Sequence, residues 1–160
     1  MLRKRNRSSF CLTSCVFFLG IVAMPFSLSA QARNGSEACG GNSTVDAMGA
    51  DTAKLSRDFL AQLQSAVKVN DRRQIAGMIS YPLLVIRSGK RTRIQQRKIF
   101  VANYDQIFTE PVREAILHQS AQCLFGNDRG AMVGKGEVWF TEQQGSGMKI
   151  ITVNESASSM

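Results

Sequence analysis

The apolar residues of this chain change their spacing once, and that change limits the folds open to it. Leu55, Phe59, Leu63 and Val67 recur at four-residue steps, with Leu60 and Ala66 beside them. Such a stripe covers one face of a helix, here starting near Asp51 as its N-cap and ending near Asn70. Asp71 is placed to cap a second, shorter helix through Ile79, with Ile75, Met78 and Ile79 turned inward. Tyr81-Pro82 should close that helix, because the residue before a proline avoids helical angles. PLLVIR then reads as a strand, SGK as a turn and RTRI as the returning strand. A third helix is expected from Gln95, since Phe100, Tyr104, Ile107 and Phe108 fall at i, i+4, i+7 and i+8 with Val101 alongside. Pro111 fits only a first helical turn, so a separate helix begins at Thr109-Glu110-Pro111 and runs through His118.

After Gln119 the period becomes that of strands. Cys123 to Phe125, Ala131 to Val133, Glu137 to Phe140 and Met148 to Val153 are the candidates, with GNDRG and QQGSG as turns between the outer ones. Helices, a hairpin, helices and then an antiparallel meander predict an α+β domain, its helices packed on one face of a curved antiparallel sheet. No segment repeats internally.

The first residues carry a different message. MLRKRNRSSF holds Arg3, Lys4, Arg5 and Arg7 and no acid; an apolar run from Cys15 to Met24 follows, closed by Pro25, and Ala30-Gln31-Ala32 is a small-x-small site. That order predicts a secretory signal over residues 1–32. The apolar run is well short of the ~20 residues that span a bilayer, so no stable membrane anchor is expected after cleavage. The expected organisation is then a flexible leader over 33–50, one domain over 51–155 and a flexible tail over 156–160. Cleavage would remove four of the 20 Lys and Arg residues and none of the 12 Asp and Glu. The remaining excess of four positive charges is no footprint of nucleic-acid binding. Of four cysteines only Cys39 and Cys123 would remain. In an exported protein, periplasmic or secreted, they are expected to pair, the alternative being two free thiols with Cys123 buried at a strand start.

GAMVGKGEVWF, from Gly130 to Phe140, invites a phosphate-loop reading that its spacing rejects. Gly134 follows Gly130 by four positions rather than five, Gly136 stands where a magnesium-binding hydroxyl belongs, and a strand pattern follows instead of a helix. The glycines instead predict one extended, sharply coiled strand. Its alternation would put Met132, Val138 and Phe140 on one face and Trp139 on the other.

Several strings together carry a resemblance. They are the Asn70-Asp71 break, YPLLV from Tyr81, the helical Phe100, Tyr104, Asp105, Ile107 and Phe108, the stretch Gly130 to Phe140, and the final KIITVN. In this order they resemble small exported proteins of the nuclear transport factor 2-like (ketosteroid isomerase-like, cystatin-like) fold, over Asp51 to Asn154. The resemblance implies a cone-shaped roll with a pocket between helices and sheet. Members of such a fold catalyse, bind ligands or mediate protein contacts, so the fold alone does not select among these.

An isomerase or hydratase of this kind needs a carboxylate or histidine base in a dry pocket facing a donor. Asp105, with Tyr104 or His118, is the candidate set, and Tyr81 is a further phenol donor. The bland alternatives are a surface Asp105 and a His118 that complements the end of its helix. One histidine and two distant cysteines give no metal set, and no cofactor is expected. No G-x-S-x-G elbow occurs. Trp139 would floor a pocket or simply pack.

The strongest electrostatic feature is a run of eight basic residues and no acid between Arg72 and Tyr104. Six of them, Arg87, Lys90, Arg91, Arg93, Arg97 and Lys98, lie on the hairpin and the next helix start. A basic edge attracts an acidic protein surface, anionic lipid or an envelope polymer, or else merely protects an edge strand. Nucleic acid fits less well, because the patch has no aromatic residue. The expected function is therefore an exported, non-enzymatic module that binds a partner protein or small ligand. A cofactor-free isomerase or hydratase, or an immunity or inhibitor protein covering an acidic toxin, are the alternatives, and a second copy of the chain is also open as a partner.

Overall fold

The computed structural model describes Cys39 and residues 44–157. The expected signal, its cleavage site and residues 158–160 lie outside the described residues. A short 3-10 turn, Val45–Met48, leads into helix α1, Ala50–Lys68. Gly49 occupies the N-cap position expected for Asp51, which instead sits in the first turn, where its charge complements the helix dipole. The buried face is Ala53, Ser56, Phe59, Leu60, Leu63, Ala66 and Val67, while Leu55 is 44% exposed. Strict four-residue steps advance about 40° around the axis each time, so Leu55 and Val67 cannot both face the core.

Asp71 caps α2, Arg72–Gly77, as its position predicted, its carboxylate accepting from the backbone of Arg73 (3.1 Å) and Gln74 (2.9 Å). The helix is shorter than expected. Ile79 already belongs to β1, Ile79–Arg87, and the cis Tyr81-Pro82 bond lies inside that strand rather than closing the helix. Proline has no N–H for a ladder, and the pairing of β1 with its neighbour is irregular between Ile79 and Leu84. Ser88 and Gly89 turn the chain into β2, Lys90–Ile94, both with left-handed φ (46° and 76°), the two-residue turn that twisted hairpins favour.

The single helix expected from Gln95 is two: α3, Arg97–Ala102, and α4, Tyr104–Ile107. Asn103 (ψ 20°) breaks them, and its side-chain amide competes for the carbonyl of Ile99 (2.9 Å). The apolar spacing nonetheless reported burial correctly. Phe100, Tyr104, Ile107 and Phe108 are all buried, and the three rings meet at 5.4–5.8 Å. Helix α5, Glu110–His118, follows a Thr109 N-cap with Pro111 in its first turn, as expected.

Strands β3 (Phe125–Asn127), β4 (Gly130–Val133), β5 (Val138–Gln143) and β6 (Gly147–Asn154) complete a six-stranded sheet of order β2-β1-β6-β5-β4-β3. The fold is α+β, with helices on a curved sheet. The sheet is mixed rather than wholly antiparallel, because β1 and β6, its second and third strands in space, run parallel. The space between sheet and helices is filled, with Phe59 against Phe140 at 4.7 Å and Leu60, Leu63, Ile116 and Ile150 fully buried around them.

GAMVGKGEVWF is not one coiled strand. β4 stops at Val133, Gly134 (φ 63°) and Gly136 (φ 114°) carry a turn closed by the Gly136 N–H on the Val133 carbonyl (3.1 Å), and β5 resumes at Val138. No helix follows, so nothing gathers backbone donors for a phosphate. The turn resets the alternation. Met132 pairs with Trp139 on the outer face, while Ala131, Val133, Val138 and Phe140 face the core.

Residues 44–50 of the expected leader and 156–157 of the expected tail take part in the fold. Val45 is fully buried, its N–H donating to the Leu124 carbonyl (2.9 Å), and Thr44 bridges Phe125. Cys39 and Cys123, 84 positions apart, form the disulfide. At the other end the Ser156 hydroxyl accepts from the Ser88 N–H (2.7 Å), and Ala157 is buried. No described helix is long and apolar enough to cross a membrane.

Candidate functional site at the basic hairpin

Strand β2 is an edge of the sheet, paired only with β1. Its alternation divides the basic residues. Lys90, Thr92 and Ile94 pair with Arg87, Val85 and Leu83 and share their side, toward α3 and α4. Arg91 and Arg93 pair with Ile86 and Leu84 on the other side. Arg97 and Lys98 belong to α3 and border a shallow hollow with Arg73. The basic cluster therefore wraps around an edge instead of covering one face.

Its members are also not equivalent. Arg87 is held twice by the Glu155 carboxylate (2.8 Å each) and donates to the Gln106 carbonyl. Glu155 keeps its guanidinium charged, holding its pKa above the usual arginine value. Arg97 donates to the Arg73 carbonyl (2.5 Å). The side chains of Lys90, Arg91, Arg93 and Lys98 have no hydrogen-bond or ion-pair partner among the described residues.

Between the hairpin and the α3–α4 elbow lies a groove of about 350 Å³. Val85, Ile94 and Ile107 give it an apolar wall. Arg87, Lys90, Thr92, Asn103 and Gln106 supply its polar rim. Thr92, Asn103 and Gln106 were not singled out by sequence. Only the hairpin register and the break at Asn103 bring them together, and neither is written in a local motif.

The sequence-selected catalytic candidates do not converge on a dry pocket. Asp105 is 62% exposed and paired with Arg72 (3.0 Å), with Arg113 4.0 Å away. It borders an open surface hollow with Glu110, Arg113 and Glu114 rather than the interior. His118 is 77% exposed at the end of α5, its Nδ1 3.0 Å from the Glu114 carboxylate. Tyr104 is buried under the Arg72 guanidinium, 5.0 Å from the ring centre, and its hydroxyl has no hydrogen-bond partner among the described residues. Burial pushes its phenol pKa up, against the opposing pull of Arg113 and Arg72. Tyr81 donates to the Ala76 carbonyl (3.2 Å), and burial pushes its pKa up to about 12. Trp139 lies on the outer face of the sheet, edge-on to Phe125 at 6.2 Å, and does not floor the core. Among the described residues no three His, Cys, Asp or Glu side chains are grouped to hold a metal ion.

Compared with known protein families, curated proteins and solved structures, the chain matches none.

Proposed function

We propose that this chain is an exported, non-enzymatic binding module of the nuclear transport factor 2-like class, and that its hairpin holds an acidic partner. The carrying observation is the set of four cations, Lys90, Arg91, Arg93 and Lys98, on and beside an edge strand, that lack an ionic partner among the described residues. Cations left unneutralised on one edge produce a local field that speeds encounter with an acidic surface. Edge protection alone is served by charge of either sign and does not require one sign throughout.

Export is supported by the basic head and apolar run at the start of the sequence, and by the Cys39–Cys123 disulfide, a bond favoured in oxidising compartments. The class assignment is supported by the element order, two helices, a hairpin, helices and a meander, which is the order on which the resemblance rests. The isomerase alternative loses its support at Asp105, whose exposed, doubly flanked carboxylate lacks the dry surroundings a general base of that kind needs. An inhibitor that covers an acidic toxin is one form the proposed partnership would take.

The test is capture of acidic proteins from the exporting cell's envelope by the purified protein and by the Arg91→Glu/Arg93→Glu variant, across a salt series. Capture that weakens with salt and disappears in the variant supports the reading. Capture that is indifferent to both removes the basic edge from it.

A further inference from the structure

The inward side of the same hairpin has chemistry that a flat acidic surface would leave unused. Lys90 stands at the mouth of the groove directly across the ladder from Arg87. The carboxylate of Glu155 balances the charge of Arg87, and together with the Gln106 carbonyl it fixes the guanidinium in place without any ligand. Lys90 has no such counterpart among the described residues, which leave one positive charge at the mouth uncompensated. Asn103 spends its amide nitrogen on the Ile99 carbonyl, and among the described residues its oxygen, the Thr92 hydroxyl and the Gln106 side-chain amide have no partner. Behind these groups Val85, Ile94 and Ile107 offer only carbon.

We infer that this groove binds a small anionic amphiphile: an anionic oxygen headgroup, such as a carboxylate or phosphate ester, on a short apolar body. The inference rests on the reading of the hairpin as the binding surface, but concerns Lys90 and Thr92 rather than the outward Arg91 and Arg93. Each half of the ligand follows from one half of the groove. The headgroup accepts a charge-assisted hydrogen bond from the Lys90 ammonium, with the pre-set Arg87 beside it. The body packs on the partly buried Ile94 and takes its exposed edge out of water, with the buried Val85 and Ile107 as the floor behind it. A cation is repelled by the same two residues. The volume, about 350 Å³, stands at the small end of small-molecule pockets, roughly 300–1,000 Å³, and admits no folded partner.

The purified protein is titrated with 4-phenylbutyrate, with 4-phenylbutanol, which keeps the body but not the charge, and with inorganic phosphate, which keeps a charge but not the body. Backbone amide shifts report the site. Phenylbutyrate is expected to move Thr92, Asn103 and Gln106, and to bind at least about tenfold more tightly than either control. Lys90→Gln should weaken it by about tenfold, and Thr92→Trp, at an exposed position, should fill the groove and abolish it. Vesicles of phosphatidylglycerol added to the titration separate the two sources of such a ligand: competition assigns a lipid, and none assigns a free small molecule. No saturable shift, equal binding of the uncharged alcohol, or shifts untouched by both substitutions overturns the inference. Partner capture that still depends on Arg91 and Arg93 in that event leaves the broader reading standing. Intact groove binding with capture indifferent to Arg91 and Arg93 refutes only the acidic partner.

Discussion

Around Asp105 the charges are spent on one another, whereas along β2 they are not. Arg72 and Arg113 flank Asp105, Arg113 also bonds Glu110 (2.5 Å), and Arg72 rests on the Tyr104 ring. That cluster binds α2, α4 and α5 together over a buried aromatic floor. Lys90, Arg91 and Arg93 stand on a strand that contributes almost nothing to the core beyond Ile94. Both regions are rich in charge, and a sequence count does not separate them. The difference lies in whether each charge already has a partner, and it teaches that the first region maintains the fold while the second remains available for another molecule.

The contrast can be broken most forcefully at Tyr104. Tyr104→Ala should cost about 3–5 kcal/mol, the range for deleting a buried aromatic ring, seen as a loss in chemical denaturation midpoint. Tyr104→Phe removes only the unpartnered hydroxyl and should be neutral or stabilising; a loss above about 1 kcal/mol would show that the hydroxyl has a partner after all. At the intermediate level, Asp105→Asn should lower stability by at most about 1 kcal/mol, because its ion pairs are exposed, and leave partner capture unchanged. Arg91→Glu/Arg93→Glu should do the reverse, abolishing capture with stability held within about 0.5 kcal/mol. Loss of capture in Asp105→Asn would merge the two regions into one site.

The smallest expected effect concerns pH. A side-chain hydrogen bond from Arg57 (2.6 Å) lowers the Asp46 pKa below its usual 3.8, with Thr44 contributing. A depressed folded-state value means that the contribution is present above the ordinary value and is lost as pH falls through the folded one. The melting temperature of Asp46→Asn should therefore lie slightly below that of the unaltered protein at pH 6 and converge with it in strong acid. A constant gap across that window would mean that ionisation of Asp46 is not involved.

How legible these regions were depends on whether local chemistry or tertiary partners decide them. The Asp71 cap, the Ser88-Gly89 turn and the Pro111 helix start are short-range matters, and the sequence spacing located all three. The burial of Phe100, Tyr104 and Phe108 was also readable, since apolar spacing reports which face is inward even where the helix is interrupted. The break at Asn103 was not, because one side-chain amide and an elbow in the packing tip a nearly balanced choice. Asp105 was left between a pocket base and a surface residue for a related reason. Following Tyr104 in a helix, it lies about 100° around the axis, at the margin of the apolar face, where Arg72 and Arg113 from other helices draw it outward. GAMVGKGEVWF showed its glycines clearly, but glycine permits a turn as readily as a bend, and only the pairing of β4 with β5 distinguishes them.

The parallel contact between β1 and β6 has a consequence for when the basic edge comes into being. Without residues 147–154 beside them, β1 and β2 would be a two-stranded ribbon, and such ribbons are at best marginally stable in water. Loop closure over that distance is slow compared with local helix formation. The basic edge is thus supported from both sides only when the far end of the fold is in place. A chain that lacks residues 147–154 leaves the basic hairpin without the neighbour that braces it.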